Sequence, residues 1–93
     1  MVKHIVFFNL KQGVDKDQAV KLTASVLEPL VGQIAGLLEL EVRPGFSGAD
    51  MVLYSVVEDR QALSVYAEHP LHQEAKKHFF PLLDSRVAAD YEV

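Results

Sequence analysis

The chain predicts an α+β domain with the element order β-α-β-β-α-β, and three observations carry that prediction. Four runs, at 2–10, 37–43, 51–57 and 86–92, alternate in polarity or stay apolar in the manner of strands. Two stretches opening at Asp15 and Asp59 carry apolar residues at helical spacing behind an acidic N-cap. Turn-forming residues separate these segments, as in Lys11-Gln12-Gly13 and Pro44-Gly45-Phe46-Ser47-Gly48.

On the first strand Val2, His4, Val6, Phe8 and Leu10 line one face, and Lys3, Ile5, Phe7 and Asn9 the other. Both faces are apolar toward the middle, which predicts a central strand covered on both sides. Asp15-Lys16-Asp17-Gln18 reads as a capping box. The helix behind it carries a stripe of Ala19, Val20, Leu22, Val26, Leu27, Leu30, Val31 and Ile34. Pro29 has no N–H for the Ser25 carbonyl, so a kink or a restart is expected there, and Gly36 suits the residue that ends the segment. Leu38, Leu40 and Val42 alternate with Glu39, Glu41 and Arg43, which places the second strand at an edge.

Met51 to Val57 is apolar on both faces and therefore central. Asp59 is expected to cap a helix from Arg60 to about Glu68. A proline pushes the preceding residue out of the helical region, so His69 marks a break and Pro70 opens a second helical piece. Leu71, Ala75 and Phe79 recur on it at i+4 steps. On the last strand Val87, Ala89, Tyr91 and Val93 share one face, and Arg86, Ala88, Asp90 and Glu92 the other.

Right-handed crossovers assemble this order into a ferredoxin-like domain spanning residues 1–93, a four-stranded antiparallel sheet with both helices on one face. A chain of 93 residues hides only about 60–65% of the surface of its unfolded form, yet 49% of its residues are hydrophobic. A second copy laid against the open sheet face resolves that excess. The expected assembly is a homodimer, a dimeric α+β barrel.

The net charge of −4, with nine scattered basic residues, argues against a nucleic-acid partner. Absence of cysteine excludes thiol catalysis and disulfides, and suits a cytoplasmic location. The apolar run Ile5-Val6-Phe7-Phe8 is too short for a secretory leader, and nothing approaches the roughly 20 apolar residues of a membrane span. Gly45-x-x-Gly48 lacks the lysine and following helix of a phosphate loop. His69-x-x-His72 has a metal-like spacing, but Pro70 breaks the helix that would aim both rings and no third ligand is apparent. Neither a metal nor a cofactor is expected.

The chemistry concentrates in Ser64–His72, where Tyr66, His69 and His72 flank Pro70. Imidazole titrates near neutrality, which suits His72 to proton transfer; a phenol such as Tyr66 holds a tautomer or stabilises an enolate oxygen. Along an unbroken helix the two would lie about 240° apart, so their pairing depends on the break at Pro70. The position of His69 suits a helix cap. His4, among apolar residues in a central strand, must find a hydrogen-bond partner, and His78 meets the dipole at a helix end.

The opening Val2-Lys3-His4-Ile5-Val6-Phe7-Phe8, the Gly13-Val14 turn, Tyr66-x-x-His69-Pro70-x-His72 and the closing Asp90-Tyr91-Glu92-Val93 together resemble the stress-responsive α/β barrel (Dabb) family. The resemblance covers essentially the whole chain and implies a ferredoxin-like protomer and a barrel dimer. Most members of the family have no assigned activity, so the resemblance leaves the biochemical role unassigned; one plant member is a cofactor-free polyketide cyclase. There a tyrosine and a histidine act as acid–base pair, and the matching positions are Tyr66 and His72, with His4 and His69 at matching pocket positions. The first helix here has no aromatic counterpart of that enzyme's other pocket tyrosine. The resulting expectation is a small apolar or aromatic ligand near Tyr66 and His72. Cofactor-free cyclase, isomerase or monooxygenase-like chemistry, or a purely structural or stress-protective role, are its alternatives.

Overall fold

Strand β1 (Val2–Leu10) sits between two partners because both its faces are apolar, and its register with each neighbour places the site described below. In the computed structural model, which describes residues 1–93, it is followed by α1 (Lys16–Leu27), β2 (Leu37–Pro44), β3 (Met51–Val57), α2 (Arg60–Glu68), α3 (Pro70–Phe79) and β4 (Leu83–Glu92). The sheet runs β2-β3-β1-β4, all pairs antiparallel. This is the ferredoxin-like order, with β2 and β4 at the edges and the helices on one face.

Helix starts follow the acidic caps. Asp15 accepts from the Gln18 N–H at 3.0 Å and Asp59 from the Ala62 N–H at 2.8 Å. Each such cap is worth about 1 kcal/mol. The box at Asp15 is only half made, because the Gln18 side chain does not return the bond. Pro29 decides where α1 ends: the helix stops at Leu27 and a 3-10 turn, Glu28–Leu30, follows with the proline in its first turn. The break expected at Pro29 is there, and the apolar stripe does not continue on one face beyond it. Leu22 and Val31 are exposed, while Leu30 and Ile34 are buried from non-α backbone. Buried Thr23 lies on the inner face instead, its hydroxyl donating to the Ala19 carbonyl at 2.7 Å.

Strand β2 also departs from simple alternation. A register shift between Leu37 and Glu39 turns Leu38 outward and buries Leu37 in its place. Gly36, immediately before, has φ +84°, and a Cβ there would lie 2.7 Å from the Ala62 Cβ on α2. Only glycine allows the strand entrance to approach that helix so closely.

The core lies between sheet and helices, around Val2, Val6, Phe8, Leu27, Met51, Leu53, Val57 and Phe79. Phe8 and Phe79 meet edge to face, their centroids 5.7 Å apart, an arrangement worth about 0.5–1.5 kcal/mol beyond burial. On the opposite face nothing covers the sheet. Phe7 pairs across with Val52 and Val87, Ile5 with Tyr54 and Ala89, and Phe7 is 42% exposed. Strand β4 differs from the other three in being exposed along Asp84–Glu92 on both faces. Its helix-side positions are Arg86, Ala88, Asp90 and Glu92, because they pair with the inward Phe8, Val6, His4 and Val2. Polar side chains there line a cleft beside the helix layer.

Candidate functional site

The α2–α3 joint sets the first half of the site. Pro70 cannot continue α2, and His69 takes an extended conformation with φ −62° and ψ 136°. Its Nδ1 then accepts from the Leu71 N–H at 3.1 Å, capping α3. The chain resumes with a rotated helical phase. Tyr66 and His72, which a continuous helix would hold far apart, now stack with ring centroids 4.2 Å apart and 25° between planes. His72 Nδ1 lies 3.2 Å from the Ala67 carbonyl. A carbonyl only accepts, so Nδ1 carries the proton and the Nε2 lone pair is left free in the neutral ring.

The other half comes from β1 and β4. Register places Asp90 directly opposite His4, and the carboxylate pairs with His4 Nδ1. The partner that a largely buried β1 histidine requires is thus supplied by the last strand. Ser55 on β3 donates its hydroxyl to the His4 carbonyl at 2.9 Å, holding the backbone from the other side. The His4 ring presents an edge to Tyr66 at 6.3 Å.

These groups line one cavity of about 380 Å³ between the helices and the sheet. Its apolar floor includes Val6, Phe8, Leu27, Leu53 and Phe79, and its polar wall His4, Tyr66, His72, Lys76, Arg86 and Asp90. The volume falls near the small end of the range of about 300–1,000 Å³ typical of ligand pockets. Tyr66 is 1% exposed, and its hydroxyl has no hydrogen-bond partner in the protein. Burial pushes this phenol well above its usual range, against the opposing pull of the Arg86 charge, so it stays a neutral donor. Burial likewise holds His72 below the ordinary imidazole value, and the Ala67 bond only partly offsets it. The result is a neutral base beside an unspent O–H donor.

The sequence matches the model of the stress-responsive A/B barrel domain over residues 2–93. The chain belongs to that family. It is 35% identical to an uncharacterized protein of Streptomyces coelicolor, over 97 aligned positions covering 99% of both chains. Among solved structures, a dimeric protein of unknown function with a ferredoxin-like fold from Bacteroides fragilis superposes with TM-score 0.88. It is 30% identical, covering 99% of this chain and 95% of that one. A hydroxynitrile lyase from Passiflora edulis, at 18% identity, shares the fold with TM-score 0.82 over 99% of this chain and 92% of its own.

In this Dabb-family chain the residues singled out from the sequence divide. Tyr66, His72 and His4 meet around the cavity. His69, expected at a pocket position by resemblance, is not among its lining residues: its Nδ1 lone pair is committed to the α3 cap. Sequence reading gave no role to Asp90, Arg86 or Lys76. The first two were placed on one strand face, but only the β1–β4 register shows that this face is the one His4 shares. Lys76 follows His72 by one helical turn, an i+4 relation that was legible and went unused.

Proposed function

We propose that the cavity binds a small, largely apolar carbonyl compound and that the protein moves a proton on it without a cofactor. The observation that carries this reading is that Tyr66, whose buried hydroxyl has no protein partner, and the neutral His72 base line the same cavity with their rings stacked. A carbonyl oxygen placed against Tyr66 would accept that O–H. His72 Nε2 would then take a proton from the adjacent carbon, and the C–H electron pair would pass through the new C=C bond onto oxygen as an enolate. Tyr66 stabilises the developing charge, because a hydrogen bond inside a dry site strengthens as its acceptor becomes anionic. Return of the proton from His72 to a different atom gives an isomer. Attack of the enolate carbon on a second carbonyl carbon of the same molecule forms a C–C bond and sends the C=O π pair to that oxygen, which takes the proton back from His72 and gives a ring bearing a hydroxyl. Neither route requires an external oxidant or reductant.

The active form is a homodimer that buries the open sheet faces against each other. Its support is the apolar face carrying Ile5, Phe7, Val52, Val87 and Tyr91, together with the dimeric state of the Bacteroides fragilis relative. No helix is long and apolar enough to cross a membrane, and the lack of cysteine fits a cytoplasmic location.

Loss of the α-proton signal of small aryl and alkyl ketones in D2O, followed by NMR, tests the chemistry. His72→Ala should slow the exchange by about a hundredfold or more, the scale of a lost general base, while leaving the melting temperature nearly unchanged. Exchange at the wild-type rate in the variant would sink the assignment. Unfolding of the variant would make His72 a structural residue.

A further inference from the structure

Resting on the pocket reading above, we infer that the ligand of this cavity carries a carboxylate, bound by Arg86 and Lys76 at the mouth while its apolar part lies on the Phe8–Phe79 floor. The protein as a whole is acidic, with a net charge of −4, yet the wall of the cavity is not. It presents two permanent cations, Arg86 and Lys76, and one carboxylate, Asp90. Asp90 is already engaged by His4. Three ion pairs form in the molecule, Arg43–Glu41, Arg60–Glu92 and Lys77–Glu74, beside the His4–Asp90 contact, and neither Arg86 nor Lys76 belongs to any of them.

Their placement is specific. Arg86 is on the helix-facing side of β4 because it pairs with inward Phe8, whose ring forms the floor. Arg86 and Tyr66 line the same cavity, and the Arg86 charge opposes the effect of burial on the phenol. Lys76 projects from α3 one turn beyond His72, with its ammonium 5.1 Å from the centre of the Phe80 ring, another residue of the cavity wall. An oxygen anion reaching this corner meets a planar two-pronged donor and a point charge. An arginine fork matches a carboxylate in particular. The chemical class is therefore a small amphiphile with an apolar chain or ring at one end and a carboxylate at the other. The carbonyl to be enolised lies between them.

Two probes of nearly equal shape, 3-phenylpropionate and 3-phenylpropionamide, test this with the full-length protein. Binding is titrated by NMR at low salt, reading the ring protons of His72 and His4 and the backbone amides. The carboxylate should shift the cavity signals and bind about tenfold more tightly than the amide, a value discounted for the solvent exposure of Arg86. Arg86→Gln should level the two affinities, Lys76→Gln should narrow the gap, and added salt should act in the same direction. Equal affinity of the two probes at the cavity would overturn the carboxylate preference and leave the pocket standing. A preference that survives both Arg86→Gln and Lys76→Gln would overturn it too, by locating the anion elsewhere. Failure of both probes to move the His72 and His4 signals would remove the pocket reading itself.

Discussion

Removing the oxygen of Tyr66 should make this protein more stable and less able to bind its ligand. The ring of Tyr66 is packed against His72 and His4, and at 1% exposure the residue is among the most buried large side chains. Its hydroxyl, however, reaches no acceptor or donor of the protein. A buried polar group without a partner costs about 1–3 kcal/mol. Tyr66→Phe leaves the ring contacts in place and removes that cost, so a gain of about 1 kcal/mol is expected, taking the low end because the cavity is open at its mouth. For a domain of this size that gain corresponds to a rise of about 4–8 °C in melting temperature. Urea unfolding at one fixed protomer concentration is the appropriate assay, since subunit association would otherwise shift the midpoint. The midpoint should rise with an unchanged slope, and carbonyl ligands should bind more weakly to the same variant. A fall in stability of about 1 kcal/mol would refute the reasoning, because it would mean that the native hydroxyl is satisfied.

The site histidine gives a pH prediction of definite sign. Burial, helped by the charges of Lys76 on α3 and His4 on β1, lowers the His72 value below that of the unfolded chain. As pH falls below about 6.5 the unfolded chain therefore takes up a proton that the native ring refuses, and stability drops until the native value is passed. His72→Gln should flatten this part of the profile of urea midpoint against pH; identical profiles would contradict it. Phe7→Asp places a carboxylate in the middle of the open sheet face of each copy, and sedimentation should show dimer converting to monomer at micromolar concentration. A dimer of undiminished stability would exclude that face from the interface.

Much of the fold is written in local signals that act without tertiary help. Asp15 and Asp59 cap helices where they stand, Pro70 opens α3 where it stands, and the two doubly apolar runs become the central strands. The departures occur where one element answers to another. Leu38 has the alternation of an inward residue, yet the bulge before Glu39 turns it out, and no local signal marks a bulge in Leu37-Leu38-Glu39. The stripe through Val31 and Ile34 has helical spacing, but Pro29 leaves the backbone in another conformation, so the same spacing no longer describes one face. Periodicity specifies a face only while the element continues.

The site divides along the same line, which explains why half of it was visible. Tyr66 and His72 are six residues apart, and the proline between them both announces the break and produces the rotation that stacks them. That geometry is local and could be read as conditional on one feature. His4 and Asp90 are separated by 86 positions and meet only because two antiparallel strands pair in one register. The same register sets Arg86 beside Phe8. Shifting β4 by one residue would turn Arg86 and Asp90 to the opposite face and replace them with Val87 and Tyr91, or with Ser85 and Ala89, according to the direction of the slip. The acid–base pair is thus a property of one helical joint, whereas the charge of the cavity is a property of strand pairing. A substitution that perturbs the register of β4 should therefore cost anion recognition before it disturbs the stacked Tyr66 and His72, since nothing in the Pro70 joint depends on where β4 is paired.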